Sequence, residues 1–310
     1  MSGDEPAYLR HLRSGELEER ITPAYKILSS CSLCPHCCGV DRVHDEQGYC
    51  GAGLLPVISG YGPHFGEEPA LGGRSGSGTI FFSDCTMRCE FCQNYMISQS
   101  GQGREITCEE LAGIMLVLQG QGCHNINLVS PTHYVPQILR ALFIAAKSGL
   151  SIPLVYNTGG YDCVSTLRLL EDVIDIYMPD AKYGDDKIAK TLSHAPSYTK
   201  FMKDSVKEMQ RQVGDLICTD GIARRGLIIR HPVLPDDLAG SEAVLTFIAE
   251  EISVDAYVNI MDQYRPEWHV LTDASDPLFL RLRREITHEE YEQVIALARG
   301  LGLHRGFPWI

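Results

Sequence analysis

The sequence predicts an α/β fold, a partial (β/α)6 TIM-like barrel of parallel strands that follows a cysteine-rich amino-terminal extension. Three observations lead to this prediction. From Thr79 onward, six short apolar runs alternate with helical patterns. Connections of helical length favour parallel pairing with right-handed crossovers, because each strand must return over the sheet before the next begins. Before residue 76, five closely spaced cysteines and a glycine-rich segment replace this alternation.

The predicted elements follow one another in a regular order. The strand candidates are Thr79 to Ser83, Asn125 to Ser130, Ile152 to Tyr156, Asp175 to Met178, Gly226 to His231 and Ala256 to Met261. The helical patterns cover about Leu111 to Leu118, Val135 to Leu142, Val164 to Glu171, Tyr198 to Val213 and Ser241 to Ile252. Capping boxes open the first of these helices and a last one, at Thr107 with Glu110 and Thr287 with Glu290.

A doubly wound open sheet is the alternative architecture, because the order of strands cannot be read from one sequence. In either arrangement, we expect functional groups beyond the carboxyl ends of the strands. We divide the chain into residues 1–75, an extension with a cysteine-rich metal-binding segment, and residues 76–310, the barrel domain. Residues 1 to about 28 are charged and are predicted to be peripheral.

Charge and hydropathy exclude several classes of function. A formal net charge of -13 argues against a nucleic-acid partner, since such proteins usually present a basic surface to phosphate. No apolar run reaches the length of about 18 to 20 residues that spans a bilayer, and the first residues are polar. We therefore expect a cytoplasmic protein without a membrane partner. In that compartment the twelve cysteines are interpreted as metal ligands or free thiols, with a disulfide scaffold as the alternative.

Three cysteines directly follow the first predicted strand. Cys85, Cys89 and Cys92 are separated by three and then two residues. Iron-sulfur clusters and tetrahedral zinc normally take four protein ligands, so three thiols leave one coordination position open for chemistry. The nearby Arg88 favours the thiolate form. The alternative is a structural zinc knuckle that takes its fourth ligand from elsewhere in the chain.

This spacing, with Phe91 before the last cysteine, resembles the signature of radical SAM enzymes. Further segments resemble the pyruvate formate-lyase activating-enzyme-like branch, in particular relatives with a cysteine-rich amino terminus. These segments are His64-Phe65-Gly66-Glu67-Glu68-Pro69, Gly76-Ser77-Gly78-Thr79-Ile80-Phe81, Cys92-Gln93-Asn94-Tyr95, Tyr156-Asn157-Thr158-Gly159-Gly160-Tyr161, Pro179-Asp180-Ala181-Lys182-Tyr183 and Arg230-His231-Pro232-Val233-Leu234-Pro235.

The resemblance implies an oxidoreductase with a 4Fe-4S cluster held by the three cysteines, whose fourth iron binds S-adenosyl-L-methionine (SAM). One electron then cleaves SAM to methionine and a 5'-deoxyadenosyl radical, which abstracts hydrogen. A low-potential electron donor of the flavodoxin or ferredoxin type is implied as a partner. The implied cofactor contacts are Phe91 to the adenine, Asn157 and Thr158 to the ribose or methionine part, and Asp180, Lys182, Arg230 and His231 facing the cofactor.

One segment departs from the family pattern. Pro131-Thr132-His133 replaces the Gly-Gly-Glu that usually receives the SAM amino group. Backbone carbonyls, helped by Ser130, Thr132 or His133, are then the expected acceptors. Taken singly, the charged residues also have plainer interpretations: Asp180 with Lys182 as an exposed ion pair worth about 0 to 1 kcal/mol, and Arg230 with His231 as satisfied strand-end groups.

A second set of cysteines precedes the barrel. Cys31, Cys34, Cys38 and Cys50 supply four thiols, which suit either a closed zinc site or an auxiliary iron-sulfur cluster. Cys37 is the alternative to Cys38, and a segment without metal is the third interpretation. The other cysteines are expected to be ordinary thiols: Cys108, Cys123, Cys163 and Cys218.

Three functions stay open at this point. The first is a glycyl-radical activase-like enzyme whose substrate is a glycine of a partner protein. The second is a radical SAM enzyme that acts on a small molecule or peptide. The third is a non-catalytic iron-sulfur redox protein, although an open iron is poorly suited to plain electron transfer.

Overall fold

The structure is a computed structural model that describes residues 5–273 and 275–308. The first residues of the predicted extension, 1–4, and the last residues of the predicted barrel domain, 309–310, lie outside the described residues. Its centre is a mixed sheet with a cysteine-rich segment before it. The strands are β1 (Val57–His64), β2 (Ser77–Phe82), β3 (Arg104–Glu105), β4 (Ile126–Val129), β5 (Leu154–Thr158), β6 (Ile176–Pro179), β7 (Ile217–Thr219), β8 (Ile222–Pro232) and β9 (Tyr257–Met261).

Six of these strands pair in parallel and in chain order, β2 to β4, β5, β6, β8 and β9. A doubly wound sheet needs a point where the strand order reverses, and this order has none. Each crossover therefore adds its strand to the same side, as in a barrel. The prediction of a partial barrel of six parallel strands is confirmed, and the doubly wound alternative is wrong.

Helices precede, alternate with and follow these strands, and the longer ones, such as Cys108–Gly120 and Val135–Lys147, cover the outer face of the sheet. They are α1 (Tyr8–Ser14), α2 (Glu16–Glu19), α3 (Ile21–Lys26), α4 (Pro69–Gly72), α5 (Tyr95–Ser98), α6 (Cys108–Gly120), α7 (Val135–Lys147), α8 (Val164–Leu169), α9 (Asp186–Ser193), α10 (Tyr198–Val213), α11 (Ser241–Phe247), α12 (His269–Thr272), α13 (Pro277–Arg281) and α14 (His288–Gly300). Both predicted capping boxes form, at α6 and α14. The predicted helix Ser241 to Ile252 is α11 followed by a π-helical turn over Ile248–Ile252. In the described residues no helix is long and apolar enough to cross a bilayer.

The expectation of a peripheral segment before residue 28 is wrong. Tyr8, Leu17 and Ala24 are fully buried in the same core cluster as the barrel helices. The Tyr8 hydroxyl donates to the carbonyl of Ile152 at 3.0 Å, just before β5. The charged residues lie on the outer face of α1 to α3, while the sparse apolar residues between them cover the barrel.

The inside of the barrel is closed by the segment that links β1 to β2. β1 runs antiparallel to β2, so it ends where β2 begins, at the amino end of the barrel. Ala70 and Leu71 of α4 then pack against inward-facing strand residues such as Val155 and Ile228. Because α4 fills that end, a ligand inside the barrel is reached from the carboxyl ends of the strands.

Candidate functional site

A cavity of about 180 Å³ lies at the carboxyl ends of the parallel strands. Its lining includes the thiols of Cys85, Cys89 and Cys92. A second cavity of about 260 Å³ adjoins it on the side of β8 and β9 and includes Tyr264. The residues that line both cavities are Cys89, Cys92, Asn94, Asp180, Lys182 and Arg230. We call the first cavity the cysteine lobe and the second the outer lobe.

The loop that carries the three cysteines follows β2 and is held by the end of α9. The Arg88 and Glu90 amides donate to the carbonyls of Ser193 and Leu192, at 3.2 and 2.9 Å. The Ser193 hydroxyl donates to the Cys89 sulfur at 3.0 Å. A loop has no ladder of its own, so these contacts from a helix fix where the thiols point.

The environment of these thiols disfavours a free negative charge. Burial, and then the neighbouring Cys89, raise the pKa of Cys85 to about 12. Burial also raises the pKa of Cys89 to about 11, although Lys182 opposes the rise. Both thiols therefore stay protonated at neutral pH unless a positively charged group binds beside them. A metal centre is such a group, because it deprotonates a coordinating thiol.

A buried charged group stands opposite the cysteine loop. Arg230 Nε donates to Asp180 Oδ1 at 2.7 Å, and Lys182 Nζ donates to Asp180 Oδ2 at 2.5 Å. Burial raises the pKa of Asp180, but the Arg230 and Lys182 charges outweigh burial and hold that pKa below its ordinary value. Asp180 is 8% exposed, so the interpretation as an exposed surface pair is wrong.

Two carboxylates that the site prediction did not include lie beneath this group. Glu67 faces the Arg230 guanidinium at 3.6 Å and accepts a hydrogen bond from Asn127 of β4 at 2.8 Å. Glu68 accepts from Asn259 of β9 at 2.6 Å. The segment His64 to Pro69 was noted for its resemblance to a family. Because it precedes the predicted barrel, the sequence did not indicate that its carboxylates enter the barrel.

Several predicted cofactor contacts do meet at the cavity. Ser130, Asn157 and Thr158 line the cysteine lobe, and Phe91 lines the outer lobe against Tyr264, with ring centroids 5.6 Å apart. Asn157 also accepts a hydrogen bond from Arg230 at 2.7 Å. These side chains come from the loop after β2 and the ends of β4 and β5, as the rule for parallel strands predicts.

Three other predicted contacts lie behind the cavity wall. Thr132 donates to the buried Asp162 at 2.7 Å. The His133 ring donates to the Ser83 carbonyl at 2.9 Å, and burial lowers its pKa to about 3. His231 lies between the Ala181 carbonyl and the Ser241 hydroxyl, at 2.7 and 2.9 Å. None of the three lines either lobe, so the structure gives them a supporting position, and Ser130 alone of the predicted amine acceptors reaches the cavity.

The amino-terminal cysteines form a separate group behind the cysteine loop. Burial raises the pKa of Cys34, and the thiols of Cys50, Cys31 and Cys38 raise it further. The Cys38 sulfur accepts a hydrogen bond from the amide of Tyr49 at 3.3 Å. The four predicted thiols are thus electrostatic neighbours in this structure.

Cys37 points elsewhere. Its thiol donates to the Cys34 carbonyl at 3.4 Å and lies against Cys163, whose pKa is raised by burial and then by Cys37. This placement favours Cys38 over Cys37 as the fourth ligand. Within residues 5–273 and 275–308, no three His, Cys, Asp or Glu side chains already form the ligand set of a single metal ion.

The residues around the cysteine loop fit an iron-sulfur cluster with a bound SAM. Three thiols open into one cavity, and the same cavity presents an amide, a hydroxyl and cationic groups in Asn157, Ser130, Lys182 and Arg230. SAM carries an amino group, a carboxylate and a ribose, which need donors and acceptors of these kinds. A cluster binds each thiolate through a different iron atom, so its thiolates are spaced more widely than those of one ion.

Comparison with known proteins supports this interpretation. A family model described as "Radical SAM superfamily" matches residues 79–223. The uncharacterized protein MJ0674 of Methanocaldococcus jannaschii is 30% identical over 305 residues, which is 95% of this chain and 82% of that protein.

Solved structures with a similar arrangement include three proteins of low sequence identity. The FeFe-hydrogenase maturase HydG from Carboxydothermus hydrogenoformans is 12% identical, has a TM-score of 0.48, and is matched over 71% of this chain and 49% of that one. The match thus spans about half of HydG. TYW1 with a lysine-pyruvate adduct bound is 11% identical, with a TM-score of 0.44 over 73% of this chain and 74% of that one. A domain of pyruvate-formate lyase-activating enzyme from Bacteroides vulgatus is 13% identical, with a TM-score of 0.35 over 64% of this chain and 89% of that one.

Proposed function

The chain belongs to the radical SAM superfamily, and we propose that it cleaves SAM reductively to abstract hydrogen from a glycine of a partner protein. The observation that carries the first half of this proposal is the convergence of three loop thiols on a cavity that also contains Lys182 and Arg230. Sequence segments that resemble glycyl-radical activating enzymes support the second half.

Cys85, Cys89 and Cys92 would hold the 4Fe-4S cluster. The bound cluster and SAM supply the chemistry, a one-electron cleavage of the sulfonium that yields a 5'-deoxyadenosyl radical. Ser193 keeps the Cys89 sulfur in place through its 3.0 Å hydrogen bond, and Ser98 lies 3.2 Å from the Cys92 sulfur. Hydrogen bonds to the sulfurs are one of the ways in which a protein tunes the potential of a cluster.

The charged group opposite the loop orients the rest of the ligand. Asp180 holds Lys182 and Arg230 in one place, and Asn157 fixes the second nitrogen of the guanidinium. Two fixed cations favour a carboxylate ligand, and the Ser130 hydroxyl suits a ribose or an amino group, whereas Thr158 donates its hydroxyl to the buried Asp162 at 2.7 Å. Because α4 closes the other end of the barrel, this ligand is shielded from water on that side.

The second half of the proposal concerns the substrate and where it enters. A partner-protein glycine would enter through the outer lobe, whose rim carries Gln93, Gln263 and Tyr264. A small molecule or peptide substrate is the second candidate, since a shared fold does not determine the substrate. We expect the electron to come from a flavodoxin or ferredoxin type of donor.

The test of the first half is the release of 5'-deoxyadenosine. Anaerobically purified protein, reduced with dithionite and mixed with SAM, should release it, while Cys89→Ala should not, because the cluster loses a ligand. Cys218→Ala removes an exposed thiol of β7 and is the matched control, with the same release as the unaltered protein. Equal release from Cys89→Ala and the unaltered protein would refute the proposal.

The test of the second half follows the radical. A glycine target predicts a long-lived radical on a partner protein, visible by electron paramagnetic resonance after mixing with that partner. A small-molecule target predicts turnover of that molecule without such a signal. A third outcome is that SAM leaves the spectrum of the cluster unchanged and is not cleaved, while the protein still passes electrons to an acceptor. The protein is then a redox carrier.

A further inference from the structure

The two cysteine sets are in contact through the side chains between their ligands. His36 lies between Cys34 and Cys38 in the chain, and its Nε2 is 2.8 Å from the carbonyl of Thr86, which follows Cys85. The Arg88 guanidinium, which precedes Cys89, donates to the Tyr49 carbonyl at 2.7 Å. Each contact joins a residue next to one set to a residue next to the other. The amino-terminal set therefore lies directly against the back of the cysteine loop.

Tyr49 is the residue that spans this junction. It precedes Cys50, and its amide donates to the Cys38 sulfur at 3.3 Å. Its ring stacks on His36, with centroids 3.7 Å apart and planes 22° from parallel. Backbone and ring thus connect one set of thiols to an aromatic pair.

The other end of Tyr49 points to the cysteine loop. Its hydroxyl is buried and has no hydrogen-bond partner among the described residues. Burial raises the pKa of Tyr49, Arg88 opposes this, and Cys85 and Cys89 raise it further, as is expected for a hydroxyl beside those thiols. The Arg88 guanidinium lies over the Tyr49 ring, 4.7 Å from its centroid, so the ring is held between a residue of the cysteine loop and His36.

The amino-terminal set also has the surroundings of a centre that carries charge. Arg42 is 1% exposed, and its guanidinium lies 4.0 Å from the Cys31 sulfur. A buried cation and an amide donor beside the sulfurs offset the negative charge that a thiolate-bound centre gains when it is reduced. Cys38 is exposed, so one side of this set is open to a partner while the opposite side meets the loop.

From this junction we infer that the set Cys31, Cys34, Cys38 and Cys50 binds a redox-active iron-sulfur cluster, and that Tyr49 and His36 form its electron path to the cysteine loop. This inference rests on the proposed function of that loop. One electron from an external low-potential carrier reduces the amino-terminal cluster at its exposed side. The same electron then passes inward, so that this cluster is oxidised as the cluster on the loop is reduced. No bond forms or breaks and no proton is required.

The metal content tests the first part. Protein purified anaerobically, without added iron, should contain about eight irons per chain, and the triple variant Cys85→Ala, Cys89→Ala, Cys92→Ala should retain about four. Dithionite should give that variant the paramagnetic signal of a reduced cluster. Zinc in the variant, or no metal, would overturn the inference. This variant lacks the thiols of the loop, so its metal content reports on the amino-terminal set alone. The result therefore does not depend on whether the loop cleaves SAM.

The electron path is tested with two reductants and two variants. A photoreduced flavodoxin is too large to enter the cavity, whereas dithionite is small enough to reach the loop directly. With flavodoxin, Tyr49→Leu should release 5'-deoxyadenosine several-fold more slowly than the unaltered protein, and Tyr49→Phe, which keeps the ring, should not. With dithionite all three should have the same rate. A Tyr49→Leu variant that is slowed equally by both reductants, or by neither, contradicts the path.

Spin coupling gives a measurement that needs no altered tyrosine. When both clusters are reduced, their paramagnetic signals should broaden each other, because the contacts above place the two sets against one another. Either cysteine variant, the triple variant or Cys31→Ala with Cys34→Ala, should lack this broadening. Two reduced clusters without mutual broadening would mean that the path does not join them.

Discussion

The cysteine loop, Cys85 to Cys92, and the amino-terminal segment, Cys31 to Cys50, present the same ligand chemistry in opposite surroundings. The thiols of the loop open into a cavity and face Lys182 across it. Those of the amino-terminal segment lie near enough to one another to raise the pKa of Cys34, and Leu28 and Leu33 pack beside Cys31. The difference shows that the environment of a cysteine set, more than its count, separates a site that takes a ligand from one that is closed.

The cationic partners of the two regions differ in the same way. Lys182 and Arg230 are held by a carboxylate at the edge of a space, so a ligand can reach them. Arg42 is 1% exposed and donates to the carbonyls of Gly53 and His133, at 2.6 and 2.7 Å, so no ligand from solvent can reach it. One arrangement is suited to binding, and the other to holding a segment in place.

The largest effect is expected at the open region. Asp180→Asn removes the negative charge between Lys182 and Arg230, which leaves two like charges in a buried position. We expect SAM binding and 5'-deoxyadenosine release to fall by about 10 to 100-fold, the range of second-sphere substitutions at metal centres. Equilibrium dialysis with SAM and the rate of release measure the change.

Asp204→Asn is the matched control, because Asp204 forms an exposed ion pair with Lys200 on α10. This control should bind SAM as the unaltered protein does. Iron content must be the same in both variants for the comparison to hold. If Asp180→Asn binds SAM normally, the charged group is structural and the two regions are more alike than described.

A smaller effect is expected when the closed region loses its cation. Arg42→Gln leaves buried carbonyls without their charged donor, at a local cost of about 3 kcal/mol. Amide hydrogen exchange should become faster over residues 31–53 while the barrel strands keep their protection. Arg10→Gln, at an exposed pair with Asp172, should change neither region. Faster exchange throughout the barrel would show that the segment is not an independent unit.

Much of the barrel could be predicted from the sequence because its strands and helices depend on local residue patterns. Apolar runs, capping boxes and the position of Cys85 after a strand are set by neighbouring residues, and the structure reproduces them. The antiparallel strands β1, β3 and β7 were missed, since β1 is interrupted by glycines, β3 consists of two charged residues, and β7 is too short at three residues to show a pattern.

The site was predicted less completely, for a different reason. Residues at strand ends were found by their position, but which of them face the cavity depends on contacts distant in the chain. His133 turns to the carbonyl of Ser83, and Glu67 reaches Arg230 from another segment. The Tyr49 junction joins residues that are about 40 positions apart and carries no sequence signature.

The attachment of the amino-terminal region to the barrel has a predicted pH dependence. Asp175, before β6, accepts from the amides of Ala7 and Leu154 at 2.8 and 3.0 Å. Burial nevertheless raises its pKa from 3.8 to about 7. Between these values the folded chain keeps a proton that the unfolded chain has lost, so this group lowers stability as the pH rises through that window, with no further change above it.

Asp175→Asn cannot titrate, so its thermal midpoint should fall less than that of the unaltered protein between about pH 5 and about pH 7.5. The quantity to compare is the change in midpoint with pH, measured by thermal unfolding of both proteins in the same buffers. Asp172→Asn, three residues earlier and more exposed, should retain the slope of the unaltered protein. An unchanged slope in Asp175→Asn would mean that this carboxyl does not carry the effect.

The smallest effect on metal content is expected for the substitution of Cys37, and a small effect would identify Cys38 as the fourth ligand. Cys37 is adjacent to Cys38 in the chain, yet it bonds to the Cys34 carbonyl and lies against Cys163, while Cys38 accepts from Tyr49 beside the other thiols. Cys37→Ala should therefore keep the metal of the amino-terminal set, and Cys38→Ala should lose it, as metal analysis of both proteins would show. The reverse result would make Cys37 the fourth ligand in place of Cys38. The amide of Tyr49 would then donate to a sulfur that binds no metal, so Tyr49 would no longer be linked to the metal-binding set.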